Sequence, residues 1–157
     1  MINEFSEFIK YNHDYDLLIF GEGEDKRILK KLIKKNRLEN KIFLMGFSNN
    51  IGKFLKKAEA FILSSLWEDP GFVLIEAAMS NLFIISSNCK NGPVEFLKSG
   101  KGGILFESNK RKALFSSLKE YINLSEKKKF LMKIQAKKNC YKYTSFRHSN
   151  IFQKILT

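Results

Sequence analysis

Five short apolar runs, separated by helical patterns, constrain this chain more than any other feature. They are Leu17-Leu18-Ile19-Phe20 before Gly21, Ile42-Phe43-Leu44-Met45 before Gly46, Ala60-Phe61-Ile62-Leu63 before Ser64-Ser65, Phe83-Ile84-Ile85, and Ile104-Leu105-Phe106. Runs of this length with turn residues behind them read as buried strands. Between them, Ile28, Leu29, Leu32 and Ile33 keep helical spacing, as do Ile51, Phe54, Leu55 and Ala58, and Val73, Leu74, Ala77 and Ala78. Glu24 and Asp25 are expected in the first turn of the helix that follows Gly23, where they suit its dipole. Strand and helix alternating in this order imply βαβ units. The fold class is therefore α/β, a Rossmann-like parallel sheet of about five to six strands flanked by helices. Crossovers should be right-handed, and strands that are apolar on both sides should be covered on both faces.

After Phe106 the strand signals stop. Residues 110–156 read as two or three basic helices, the first carrying Leu114, Leu118 and Tyr121 and capped by Ser108 or Asn109. The chain is 157 residues long. It reads as one domain over 1–157 with a helical tail from about residue 108. No segment approaches the run of about 20 apolar residues needed to span a bilayer. Cys89 and Cys140 match no metal or redox spacing, which suits ordinary thiols in a reducing compartment. The net charge is +12. Such charge attracts nucleic acid, anionic lipid or phosphorylated ligands. Arg27, Arg37, Arg111 and Arg147 are the only arginines, however, and lysine is a poor bidentate reader of bases or phosphates. No nucleic-acid motif is present. The charge reads as a solvated surface or as attraction to an anionic membrane face.

Ligands of an open parallel sheet sit at the carboxyl ends of its strands. Gly21-Glu22-Gly23 follows a strand, but Lys26 stands where a dinucleotide fingerprint needs its third glycine. It is either a tight turn or a place for a nucleotide to approach the backbone. Asp14 and Asp16 precede their strand and so lie at the wrong edge to hold a metal on a diphosphate. The segment 64–80, SSLWEDPGFVLIEAAMS, is the more informative one. A loop with Trp67, Glu68, Asp69 and Pro70 leads into a helix that opens near Gly71 or Phe72. Free N–H groups and the positive dipole end there suit a phosphate. Glu76 lies one turn into the helix, on the side of Phe72 and Val73, and its side chain tilts back toward the N-terminus. Two carboxylates around an anion site make sense if each accepts from sugar hydroxyls, a hexose on one side and a ribose on the other. From spacing alone they could equally be a dipole-matched helix charge and a loop charge.

With these residues in place the chain resembles the family 4 retaining glycosyltransferases of the GT-B fold. Its E-x7-E element runs from Glu68 to Glu76 with Gly71 inside and Ala77-Ala78 following. The order of the other parts agrees: Gly21-Glu22-Gly23, then Gly46-Phe47, Asn91-Gly92-Pro93-Val94-Glu95, and Gly102-Gly103-Ile104-Leu105-Phe106. The resemblance implies one half of a GT-B fold, the C-terminal donor-binding half. It implies that Glu68 is the catalytic contact to donor-sugar hydroxyls and that Glu76 holds the ribose. Backbone N–H groups of Gly71, Phe72 and Val73 would meet the sugar and diphosphate. Gly46 and Phe47 would border the base, and Gly21 and Gly23 would let the nucleotide pass. No metal or other cofactor is expected beyond the nucleotide-sugar donor.

Departures from the family pattern are Asp69-Pro70 where Gly-Phe is common, and Asn81 and Phe83 for Gly and Pro after the helix. Pro70 should stiffen the loop and hold Asp69 extended, and Asn81 can take the left-handed position. Residues 1–11 show neither the family's opening strand nor its Arg…Lys pair, so the chain reads as a fragment without the N-terminal acceptor domain. The run WEDPGFVLIEAA and the later SSNCKNGPVEFLKSGKGGILF look like enterobacterial O-antigen and capsule transferases. This implies UDP-sugar donors, often UDP-N-acetylhexosamines, and undecaprenyl-diphosphate-linked acceptors reached through the absent domain. It also implies a cytoplasmic enzyme peripheral to the inner membrane, with no nucleic-acid partner. The alternatives are a non-catalytic nucleotide-binding module and, less favoured, a basic nucleic-acid-binding domain.

Overall fold

The computed structural model of the chain describes residues 1–69 and 71–143. Its elements alternate as α1 (Ile2–Tyr11), β1 (Leu17–Phe20), α2 (Lys26–Lys35), β2 (Ile42–Gly46), α3 (Ile51–Leu55), β3 (Ala60–Leu63), α4 (Phe72–Met79), β4 (Phe83–Ser87), α5 (Pro93–Phe96), β5 (Ile104–Phe106), α6 (Ala113–Asn123) and α7 (Glu126–Asn139), closing on a 3-10 turn, Cys140–Tyr143. The five apolar runs are thus the five described strands, and every described pairing between strands is parallel. The α/β class holds.

The single sheet does not. The strands form two hydrogen-bonded groups, β1-β2 and β3-β4-β5, and no ladder joins β1 to β3. What unites the groups is packing. One apolar core takes Leu17 and Ile42 from the first group and Phe83, Ile85 and Ile104 from the second, and covers them with Ile2, Phe5, Phe8 and Ile9 of α1. Periodicity reveals which segments are strands; it says nothing about which strands are neighbours. Cover on both faces is found for β4, all of whose residues are buried, and for β3 and β5, which meet one core through Ile62 and Ile104 and the other through Phe61 and Leu105. Leu18 and Phe43 are 40% and 37% exposed, so β1 and β2 are covered on one face only.

β4 separates the two cores because successive side chains on a strand point to opposite faces. Phe83 and Ile85 enter the core under α1 and α6, whereas Ile84 enters the one formed by α4, α5 and α7 with Leu74, Ala77, Leu97 and Ala136. Gly103 lets β5 come close: a Cβ there would collide with the carbonyl oxygen of Ile84. Cys89 and Cys140 are buried free thiols.

Three local expectations change. α1 is an addition to the expected elements, although Ile2, Phe5, Phe8 and Ile9 recur at helical spacing and are all buried. α2 begins at Lys26 with Asp25 as its N-cap, so Glu24 lies outside its first turn. α6 is capped by neither Ser108 nor Asn109. Its N-cap is Lys112, at φ 65°, and the acceptor comes from α1 instead, where Glu4 takes the N–H groups of Lys112 and Phe115 at 3.1 and 3.0 Å. The helical tail is real through residue 143, and the part expected over 144–157 lies outside the described residues.

Candidate functional site

The carboxyl ends of the strands carry the predicted residues, in two sets. The first set closes β1 and β2. Gly21 turns the chain at φ 116°, and its N–H donates to the carbonyl of Gly46 at 2.9 Å. Gly46, at φ 70°, lies where a Cβ would stand 3.4 Å from Oε1 of Glu22. Gly21, Gly23 and Glu22 line an open cavity of about 470 Å³ together with Ile19, Phe20 and Leu44. Phe47 follows Gly46 and is 74% exposed at the same edge. A flat apolar group could rest there against backbone, which is the requirement for a nucleoside.

The second set belongs to the loop after β3 and the start of α4. Gly71 is the N-cap of α4 at φ 76° and ψ 48°, a left-handed geometry that costs a residue with a Cβ about 1–2 kcal/mol. No side chain caps this helix, and no acidic residue occupies its first turn. The first amide donating within the turn is that of Leu74, to the Gly71 carbonyl at 2.9 Å, and among the described residues the Phe72 and Val73 amides, which belong to the unpaired first turn of a helix, have no partner. Glu68 is folded back over this opening, with Oε2 3.6 Å from the Cβ position of Gly71. Glu76 is exposed one turn on, at the i+4 position from Phe72. Thus Glu68, Gly71, Phe72, Val73 and Glu76 share one helix opening. They form no hydrogen bond with the Gly21, Gly23 and Gly46 set among the described residues. Pro70, expected to stiffen this loop, lies outside the described residues.

The loop has anchors that the motif did not reveal. Ser87, fully buried at the end of β4, donates its hydroxyl to the Ser65 carbonyl at 2.6 Å. The Glu68 amide donates to the Lys90 carbonyl at 3.3 Å, and Trp67 bridges Lys90 in parallel. The strand after the helix therefore holds the loop before it. Two serines, Ser86 and Ser87, at the end of a strand that starts Phe83-Ile84-Ile85 were the available signal. At the far end of α4, Asn81 takes the left-handed position as expected, at φ 62°, and the amides of Asn81 and Leu82 close the helix on Ala78 and Ala77.

Asp14 and Asp16 are where their order predicts, ahead of β1, with Asp16 paired to Lys41 at 2.9 Å. Among the described residues no three His, Cys, Asp or Glu side chains gather as a metal site. No described helix is long and apolar enough to cross a membrane.

A parallel α/β domain with a helix opening flanked by two carboxylates at the carboxyl ends of its strands is laid out as the doubly wound folds that bind phosphorylated ligands. The chain belongs to the glycosyl transferases group 1 family, which matches residues 2–139. It is 36% identical over 141 residues to an uncharacterized glycosyltransferase of Methanocaldococcus jannaschii, covering 82% of this chain and 35% of that one. It is 34% identical over 112 residues to an N-acetylgalactosamine-N,N'-diacetylbacillosaminyl-diphospho-undecaprenol 4-alpha-N-acetylgalactosaminyltransferase of Campylobacter jejuni, covering 71% and 31%. A crystal structure of Staphylococcus aureus TarM in complex with fondaparinux, alpha-GlcNAc-glycerol and UDP superposes with a TM-score of 0.86 at 25% identity, covering 99% of this chain and 31% of that one. The fold is that of GT-B glycosyltransferases. The chain spans about a third of the length of these relatives.

Proposed function

We propose that this chain is the donor-binding domain of a retaining glycosyltransferase that moves a sugar from a UDP-sugar, a UDP-N-acetylhexosamine in the favoured case, to a lipid-linked saccharide in O-antigen or capsule biosynthesis. The observation that carries the reading is Glu68 lying over Gly71 at the uncapped start of α4, with Glu76 one turn on. In this reading the diphosphate rests on the Phe72 and Val73 amides. Glu68 accepts from the donor-sugar hydroxyls as the catalytic contact, and Glu76 accepts from the ribose. Gly21, Gly23, Gly46 and Phe47 border the nucleoside. Retention proceeds through an oxocarbenium-like state, so fixed dipoles beside the leaving diphosphate lower the barrier.

Support for the donor class comes from the UDP held by the TarM structure, and for the acceptor class from the diphospho-undecaprenol in the Campylobacter relative's name. The acceptor itself belongs to the partner domain of a two-domain enzyme, working at the cytoplasmic face of the inner membrane. Binding without metal rests on the family resemblance, and added EDTA should leave it unchanged.

Calorimetric titration with UDP, UDP-sugars, GDP-mannose and NAD tests the donor reading. UDP-sugar binding weakened by Glu76→Gln is expected, and binding of NAD alone would favour a dinucleotide module. In the two-domain enzyme, full turnover by both Glu68→Ala and Glu76→Gln would sink the assignment.

A further inference from the structure

A helix on a protein surface normally keeps its apolar residues on the inner face. α7 has them on both. Its inner face carries Ala136, whose backbone lies 3.2 Å from the Cβ position of Gly102, and Asn139, whose amide donates to the Phe96 carbonyl at 2.6 Å. At about 100° per residue, Lys127, Leu131, Ile134 and Lys138 fall on the opposite side, with Phe130 beside them. Phe130 and Leu131 are 57% and 55% exposed.

The charge around this outer stripe has one sign. Residues 126–142 contain Lys127, Lys128, Lys129, Lys133, Lys137, Lys138 and Lys142 against Glu126 alone. Glu126 is taken up by Lys129 at 2.8 Å, and Lys142 lies 3.8 Å from Glu95. Lys127, Lys128, Lys137 and Lys138 are exposed and form no ion pair among the described residues. Exposed aromatic and aliphatic side chains among unpaired lysines supply two ingredients of interfacial binding, apolar insertion and attraction to anionic lipid.

We propose that the outer face of α7 docks this protein on an anionic bilayer. Phe130 and Leu131 enter the acyl boundary, and Lys127, Lys128, Lys137 and Lys138 meet the acidic headgroups. The other strongly basic element, α2, is a rival for electrostatic attraction but a poor anchor. It is almost wholly cationic outside, and Ile28 is its exposed large apolar side chain. A variant of α2 separates the two elements experimentally.

The proposal rests on the reading of the acceptor as membrane-borne. Vesicle binding needs no donor, however, so it and UDP-sugar binding can fail separately. The 157-residue chain is floated with vesicles of phosphatidylcholine alone or mixed with phosphatidylglycerol. Binding to the mixture only is expected. Phe130→Ser with Leu131→Ser should lower it by about tenfold or more, whereas Lys30→Glu with Lys34→Glu in α2 should lower it far less. A Phe130→Trp substitution adds a second indole to that of Trp67, and the added emission should shift to the blue on the mixed vesicles. Should the double serine variant misfold by circular dichroism, Lys127→Glu with Lys138→Glu carries the same test. Equal binding to neutral vesicles, undiminished binding of the α7 variants, loss through the α2 variant instead, or an unshifted added emission from the Phe130→Trp variant overturns the proposal.

Discussion

Glu4 in the first helix caps α6 across the molecule: its carboxylate accepts the Phe115 amide at 3.0 Å and the Lys112 amide at 3.1 Å. Four amides at a helix start need acceptors, and here one side chain from a distant element serves two of them. Glu4→Ala should therefore lower stability by about 1–2 kcal/mol, with Glu4→Gln losing less. Urea unfolding followed by circular dichroism measures both. A midpoint unchanged by the alanine would mean that water replaces the cap.

The close approach of β5 to β4 gives a second prediction. Gly103→Ala places a methyl group against the Ile84 carbonyl, and backbone cannot swing aside as a side chain can. A loss of about 1–3 kcal/mol is expected. Gly52→Ala is the control, since nothing lies within 4 Å of its Cβ position in α3. Relief of glycine's backbone entropy there should add about 0.5–1 kcal/mol. Thermal melts of the two variants should move in opposite directions.

Ser87 ties the fully buried end of β4 to the loop that bears Glu68. Ser87→Ala should cost about 1–2 kcal/mol of stability, since the Ser65 carbonyl loses its donor. UDP-sugar affinity should fall with it, because Glu68 and the α4 opening are no longer held by the strand. Ser87→Thr keeps the hydroxyl and should restore part of the affinity. Calorimetry on the three forms separates this from a general loss of fold.

The divided sheet predicts uneven hydrogen exchange. Leu17 and Gly21 donate their amides to the β2 side, at 2.8 and 2.9 Å, so alternation turns the Leu18 amide to the edge of β1 that no described strand pairs. Ile85 sits in β4 between two partners and is fully buried. Exchange at Leu18 should be faster than at Ile85 by about 100-fold or more, read by NMR or by mass spectrometry of the chain. Equal protection would show that β1 gains a neighbour in solution.

Much of this molecule can be read from local signals. The strands follow from apolar runs, and α4 from Val73, Leu74, Ala77 and Ala78 at helical spacing. The juxtaposition of Glu68, Gly71 and Glu76 follows as well, because loop and helix are contiguous and a turn of helix has a known pitch. The left-handed Asn81 is legible for the same reason. α1 was legible in principle, since Ile2, Phe5, Phe8 and Ile9 keep the period, but it lies where the family pattern has a strand.

What the amino-acid order determined by itself is the α/β class, the strand and helix order, and the carboxylates at the opening of α4, all products of interactions within a few residues. Tertiary structure alone decided the rest. The Glu4 cap joins residues 108 and 111 positions apart, the Ser87 tether spans 22, and the separation of β1-β2 from β3-β4-β5 depends on which edges meet. The outward turn of Phe130 and Leu131 is settled by the packing of Ala136 and Asn139 beneath them. Such pairings are selected by burial of the whole core, and a local pattern contains no record of its distant partner.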